Sequence, residues 1–220
     1  MIKTKRQAEI VNLCKNFDTT CDVGCDHGII SVLLLLENKT KFVIATDISK
    51  KCVQKAEVLL KKYGLENRSS TRCANGLGGI LPNENPEQIV IAGMGGSEIV
   101  EILSAYTKKS KYLALQPMKE IPKVREYLTK NGYKIEEDFV IEDRGKFYHL
   151  ISASIGKQEL SKSEINFGKA TKHSEDYFLW LSEKEKKLEK ILDCIPEENE
   201  KSNKILDCLK MIKNIKEKRL

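Results

Sequence analysis

Through residue 132 the chain alternates short solid apolar runs with stretches in which apolar residues recur every three or four positions. A solid run such as Phe42-Val43-Ile44-Ala45 suits a strand covered on both faces, as in a parallel sheet flanked by helices. On that reading strands lie near 19–23, 41–46, 68–73, 88–92 and 111–116. Ile10, Leu13, Cys14 and Phe17 predict a helix over about 3–16. The run 28–36, interrupted only by Ser31, predicts a buried helix. Ser49 caps another helix that reaches Tyr63 and stops at Gly64. Helices ending at Ala105 and at Asn131-Gly132 complete the alternation.

Beyond residue 132 the pattern changes. Segments 133–142 and 146–155 are long and extended, and the tight turn Asp143-Arg144-Gly145 joins them into an antiparallel hairpin. Five βα units followed by a hairpin predict an α/β, Rossmann-like fold: parallel strands plus an antiparallel edge strand. A dinucleotide-binding sheet would continue with a sixth parallel strand instead. From residue 161 strands cease. Tyr177, Leu181, Leu188, Ile191, Leu192 and Ile195 form one helical stripe, and Ile205, Cys208, Leu209, Ile212 and Ile215 form a second. With the turn Pro196-Glu197-Glu198-Asn199 between them, they predict an antiparallel two-helix, coiled-coil-like extension. The expected division is a ligand-binding catalytic domain over 1–160 and a helical hairpin over 161–220.

Composition narrows the class. With 220 residues, 40% hydrophobic and 32% charged, the chain suits one ordinary domain and a small appendage. No run approaches the roughly 20 apolar residues of a membrane helix. The basic N-terminus has no apolar stretch behind it, so a cytoplasmic protein is expected. Seven cysteines without a CxxC pair read as free, small core residues, with neither a disulfide framework nor a metal site. The net charge of +6 is compatible with a polyanionic partner without establishing one.

The candidate chemistry begins in Thr20-Cys21-Asp22-Val23-Gly24-Cys25-Asp26-His27-Gly28, a strand, a glycine turn and a helix start, with Asp47 closing the next strand. That is the first βαβ unit of a nucleotide-binding sheet, with an acid placed to hold ribose hydroxyls. Asp26 sits where a pyrophosphate would need bare N–H groups. A cationic ligand fits better, and S-adenosylmethionine carries a sulfonium and an ammonium, so a methyltransferase is the first reading and an NAD-type oxidoreductase the second. On the first reading Gly24 and Gly28 let the loop wrap the methionine moiety, Cys25 and His27 join them as cofactor-binding residues, and Asp22 at the strand end organises the loop or faces the ammonium. Asp47, with Ile48 beside it, takes both ribose hydroxyls. Ala74, Asn75 and Gly76 meet the adenine, and Gly93, Met94 and Gly95 face the transferable methyl. Asp26 is the candidate catalytic carboxylate, orienting the substrate base or handling charge around its exocyclic amine. His27 is more plausible as a turn residue than as a catalyst. His149 and His173 are expected to be structural or at the surface, and Trp180 to serve either the core or stacking.

Four stretches carry a family resemblance: Asp22 to Gly28, Ile91-Ala92-Gly93-Met94-Gly95-Gly96, Leu115-Gln116-Pro117, and the hairpin's Gly145-Lys146-Phe147-Tyr148. Together they resemble the bacterial tRNA (adenine-22-N1)-methyltransferases, the TrmK family of class I S-adenosylmethionine-dependent enzymes, over nearly the whole chain. The resemblance implies methyl transfer from S-adenosylmethionine to N1 of an adenine in the tRNA D-arm. It also implies phosphate contacts from Lys3, Lys5, Arg6 and the C-terminal arm, by a protein expected to be a monomer. Asn75 departs from the family's usual acid, and Cys25 and Gly28 from its usual Ser and Ala. The rival readings are a methyltransferase for another RNA, a protein or a small molecule, and a non-catalytic RNA-binding module.

Overall fold

A computed structural model describes residues 3–195 and 200–218. The chain runs α1 (Lys5–Leu13), β1 (Phe17–Val23), α2 (Ile29–Leu36), β2 (Thr40–Asp47), α3 (Lys50–Lys62), β3 (Ser69–Cys73), β4 (Gln88–Met94), α4 (Gly96–Ala105), β5 (Tyr112–Pro117), α5 (Ile121–Lys130), β6 (Tyr133–Asp143), β7 (Lys146–Ile155), α6 (Lys162–Phe167), α7 (Ser174–Leu192) and α8 (Glu200–Glu217). The strands form a single sheet in the order β3-β2-β1-β4-β5-β7-β6. The neighbours among β1 to β5 pair in parallel, whereas β7 is antiparallel to both β5 and β6.

The reversed strand is therefore β7, one place in from the edge, and β6 holds the edge where a reversed strand was anticipated. The crossover through α5 lands β6 one slot away from β5. The tight turn then sends β7 back into the gap, with Arg144 and Gly145 both at positive φ (55° and 75°). Leu150, Ile151 and Ala153 of β7 are fully buried there.

Helices cover both faces. Ile10 and Leu13 of α1, Val32 and Leu35 of α2 and Leu60 of α3 pack on one side. Ile99 and Leu103 of α4 with Val124 and Leu128 of α5 pack on the other. Beyond β7 the chain forms α6, opened by a capping box in which Ser161 and Glu164 bond reciprocally. Sequence periodicity did not single out this short helix, although the Ser-x-x-Glu signal was present. Tyr177 and Leu181 of α7, Ile212 of α8, Phe167 of α6 and Val140 of β6 share one apolar cluster, so the C-terminal helices rest on the sheet's hairpin end. The turn anticipated at 196–199 lies outside the described residues.

One buried ion pair fastens this corner. Arg125 Nε and Nη2 donate to the two Asp138 oxygens at 2.8 and 3.0 Å, and Nη1 donates to the Ile165 carbonyl. Both side chains are almost fully buried, and every partner comes from a different element: α5, β6 and α6. Gly168 has to be glycine beside them, because a Cβ there would lie 2.6 Å from Arg125 Nη2.

Candidate functional site

In this strand order β1 and β4 are adjacent while their crossovers depart in opposite directions. That switch point is where an open α/β sheet leaves a crevice beyond its carboxyl ends. A cavity of about 520 Å³ occupies it. Gly24, Cys25, Asp26 and His27 reach it from the turn after β1, and Asp47 and Ile48 from the end of β2. Asn75 and Gly76 reach it from the turn after β3, Gly93 and Met94 from the end of β4, and Arg6 from α1. Asp22, Gly28, Ala74, Gly95, Lys3 and Lys5 do not line it.

The first turn is held from behind. Asp22 is buried, and its Oδ2 accepts from Ser31 Oγ at 2.6 Å. Burial pushes its carboxyl up to about 6 from an ordinary 3.8, against the pull of hydrogen bonds from Ser31. The start of α2 has no side-chain cap of its own, because its N-cap is Gly28. Asp22 thus supplies an acceptor and a negative charge to the first turn of α2, and acts on the loop from outside the cavity. The Gly24 and Cys25 amides both donate to the Thr46 carbonyl, which pins the turn to β2.

The glycines divide by task. Gly24 has φ 68°, and a Cβ there would fall 2.0 Å from Met94 Cε, so its bareness opens the cavity to the Met94 side chain. A Cβ on Gly28 would meet the Ala56 backbone at 2.8 Å, so Gly28 serves the close approach of α2 to α3. Gly95 and Gly96 likewise face Lys119 and the Glu120 carbonyl. At Gly93, with φ 85°, the β4–β5 register slips between Ala92 and Met94. Such a bulge re-aims the following side chain, and here it is Met94.

Asp47 is the best-fixed polar group. Its Oδ2 accepts from the Asp26 amide at 3.0 Å and its Oδ1 from the Ser49 amide at 2.8 Å. Each oxygen keeps lone-pair capacity for a hydroxyl in the cavity. Asp26 has φ 47° and stands at the rim, with its side chain 71% exposed. Its Oδ1 lies 3.4 Å from Cys52 Sγ and 3.5 Å from His27 Nε2, and His27 in turn meets Lys55 Nζ at 2.9 Å. Burial, reinforced by Asp22 and Asp47, pushes the Cys25 thiol far up, so it is a neutral packing group rather than a nucleophile.

The basic N-terminal residues separate. Lys3 pairs with Glu37 at 2.5 Å and Lys5 with Asp176 at 2.9 Å, both away from the cavity. Arg6 turns inward. Its Nη1 donates to Gln116 Oε1 at 3.1 Å, and its guanidinium lies 5.3 Å from the centre of the Tyr148 ring.

Sequence reading passed over Gln7, Ile10, Glu98 and Ile102, which also line the cavity. Gln7 and Ile10 follow Arg6 on one helical face, and Glu98 occupies the first turn of α4 just past the glycines, so both signals were local. Glu98, Asp26 and Asp47 set three carboxylates against the single guanidinium of Arg6, a field that favours a cationic ligand. Among the described residues no cluster of His, Cys, Asp or Glu is arranged to hold a metal ion. No helix among them is long and apolar enough to cross a membrane.

Comparison with known proteins agrees with this geometry. A family model described as "Methyltransferase domain" matches residues 3–151. The tRNA (adenine(22)-N(1))-methyltransferase of Bacillus subtilis (strain 168) is 30% identical over 166 residues, covering 74% of this chain and 69% of that protein. The structure of M. capricolum TrmK in complex with S-adenosyl-homocysteine superimposes with a TM-score of 0.90 at 26% identity, covering 98% of each chain. A Streptococcus pneumoniae chain solved in complex with S-adenosyl-L-methionine gives a TM-score of 0.86 at 26% identity, over 98% of this chain and 99% of that one.

Proposed function

The chain belongs to the TrmK family of tRNA (adenine-22-N1)-methyltransferases, and from that premise we propose that it transfers a methyl group from S-adenosylmethionine to N1 of adenine 22 in tRNA, in the cytoplasm. The observation that carries the reading is the acid-lined cavity at the β1/β4 switch point, with Asp47 fixed at the end of β2.

The residues present fit this cofactor. The cavity is of ligand size. Asp47 is oriented by two backbone amides and offers both oxygens to the ribose hydroxyls. Asn75, after β3, offers a side-chain carbonyl to the adenine amine. The bare backbone of Gly24 and the carboxylates of Asp26 and Glu98 suit a positively charged methionine end. When bound, S-adenosylmethionine supplies a methyl group made electrophilic by its sulfonium.

The protein's own part is placement and field. Adenine N1 carries a lone pair and needs no base before it attacks, so positioning provides most of the acceleration. N1 lies on the Watson–Crick edge, and the base has to leave its stack to reach the cavity. Met94, aimed by the bulge at Gly93, borders the space where that base arrives. Methylation at N1 leaves the ring positively charged, and Asp26 at the rim stabilises that charge or receives the N6 proton that neutralises it. Arg6 is held off by Gln116 and Tyr148.

The test is methylation of an unmodified tRNA transcript, with digestion and mass spectrometry to locate the product. N1-methyladenine at position 22 is expected, and none in a transcript with guanine there. Methylation elsewhere, or none at all, would overturn the reading.

A further inference from the structure

A second groove, of about 360 Å³, opens between the start of β7 and α7. Its boundary with the catalytic cavity is a shared wall: Arg6 lines the cavity, Tyr148 lines the groove, and the guanidinium lies 5.3 Å from that ring. Met118, half exposed, continues the wall from Gln116, which holds Arg6.

The groove is aromatic within and basic at its rim. Phe147, Tyr148 and Trp180 are partly exposed in it, and Lys146, Lys184 and Lys187 surround them. Its one acid, Glu183, already lies 3.6 Å from Lys187. Among the described residues the side chains of Lys146 and Lys184 have no hydrogen-bond or ion-pair partner within the chain. Aromatic faces beside unpaired cations are the two components that proteins combine to hold an unstacked nucleic-acid strand: bases rest on rings and phosphates on lysines. The cavity's own field is acidic, so the phosphates that flank an extruded adenine need a basic surface immediately outside it. This groove is such a surface, just across the Arg6–Tyr148 wall.

We propose that the groove holds the tRNA strand adjoining the target adenine, with its phosphates on Lys146 and Lys184 and a neighbouring nucleotide against Tyr148, Met118 and the partly exposed Trp180. The proposal rests on the tRNA-methyltransferase reading and adds the exit path of the strand. It assigns to the hairpin and the middle turns of α7 a role beyond their packing on the sheet.

The chain has a single tryptophan, Trp180, so its emission reports on the groove directly. In the full-length protein, titration with unmodified tRNA is expected to quench that emission, whereas poly-glutamate, which supplies anions without bases, is not. The double variant Lys146→Ala/Lys184→Ala is expected to weaken tRNA binding by roughly tenfold or more at moderate salt. It should also reduce the log–log salt slope by about 2, roughly one unit for each phosphate that no longer meets a lysine. S-adenosyl-homocysteine affinity and the melting temperature serve as controls on the cavity and the fold. Lys184→Glu is expected to exceed the effect of Lys184→Ala. Unchanged affinity and salt slope in a protein that still methylates tRNA would overturn the groove alone. Quenching by poly-glutamate equal to that by tRNA would overturn the stacking of a nucleotide. A wild-type protein that neither binds nor methylates tRNA would overturn this inference together with the reading beneath it.

Discussion

Replacing Asp47 by alanine removes a cavity carboxylate whose two oxygens are each held by a backbone amide. Its oxygens accept from the Asp26 and Ser49 amides at 3.0 and 2.8 Å, which leaves a preset pair of acceptors for a ribose. Hydrogen bonds to a charged group contribute about 1.5–3 kcal/mol each, so losing two to the cofactor costs about 3–6 kcal/mol. At about 1.4 kcal/mol per decade, affinity for S-adenosyl-homocysteine falls by roughly a hundred- to ten-thousand-fold. The orphaned amides lie at exposed or half-buried positions, where water replaces the lost acceptor, so the fold should melt within a few degrees of the parent. Isothermal titration with S-adenosyl-homocysteine, beside a thermal melt, reads both quantities. Asp47→Asn keeps one oxygen acceptor and should fall between parent and alanine. A dissociation constant within about threefold of the parent's in Asp47→Ala would refute the assignment of Asp47 to the ribose.

The remaining expectations concern the rim, the buried pair and the carboxyl behind the loop. Asp26→Ala should lower turnover by roughly a hundredfold or more, well beyond its loss of S-adenosyl-homocysteine affinity, and near-normal turnover would remove Asp26 from the chemistry. Asp138→Ala leaves the Arg125 guanidinium buried and unpaired, at a cost of about 3–5 kcal/mol in denaturant unfolding; a loss below about 1 kcal/mol would contradict the burial described for the pair. Removing both charges together, as Arg125→Met/Asp138→Leu, should recover much of that loss. Asp22 holds its proton to about pH 6 in the folded protein and to 3.8 ordinarily, so between those values the folded state binds the extra proton and stability falls as pH rises. Asp22→Asn should therefore be more stable than the parent at neutral pH, by up to about 3 kcal/mol, with the advantage vanishing below about pH 4. Parallel pH profiles for the two proteins would contradict it.

The sequence alone carried the order of elements and the nucleotide-binding turn, because both are written in local patterns. Solid apolar runs specify strands covered on two faces, Ser49 and Gly64 mark the ends of one helix, and a glycine turn followed by Asp47 needs nothing distant to be legible. The hairpin was legible for the same reason, since Asp143-Arg144-Gly145 is a local turn. What remained hidden was every property that depends on which elements meet. Arg6 reads like its neighbours Lys3 and Lys5, and only the packing of α1 against the sheet turns it towards Gln116 and Tyr148 while those two reach surface acids. Gly28 and Gly95 look like ligand-facing glycines until α3 and the segment after β5 arrive over them. The pairing of Arg125 with Asp138 and the seating of β7 inside β6 depend likewise on how α5 crosses the sheet. Periodicity records whether a residue is covered, and the tertiary structure decides by what. Charge, hydrogen-bond partner and available space all follow from that second fact, so the chemistry of Arg6, Glu98 and the basic groove was set only once the helices had docked.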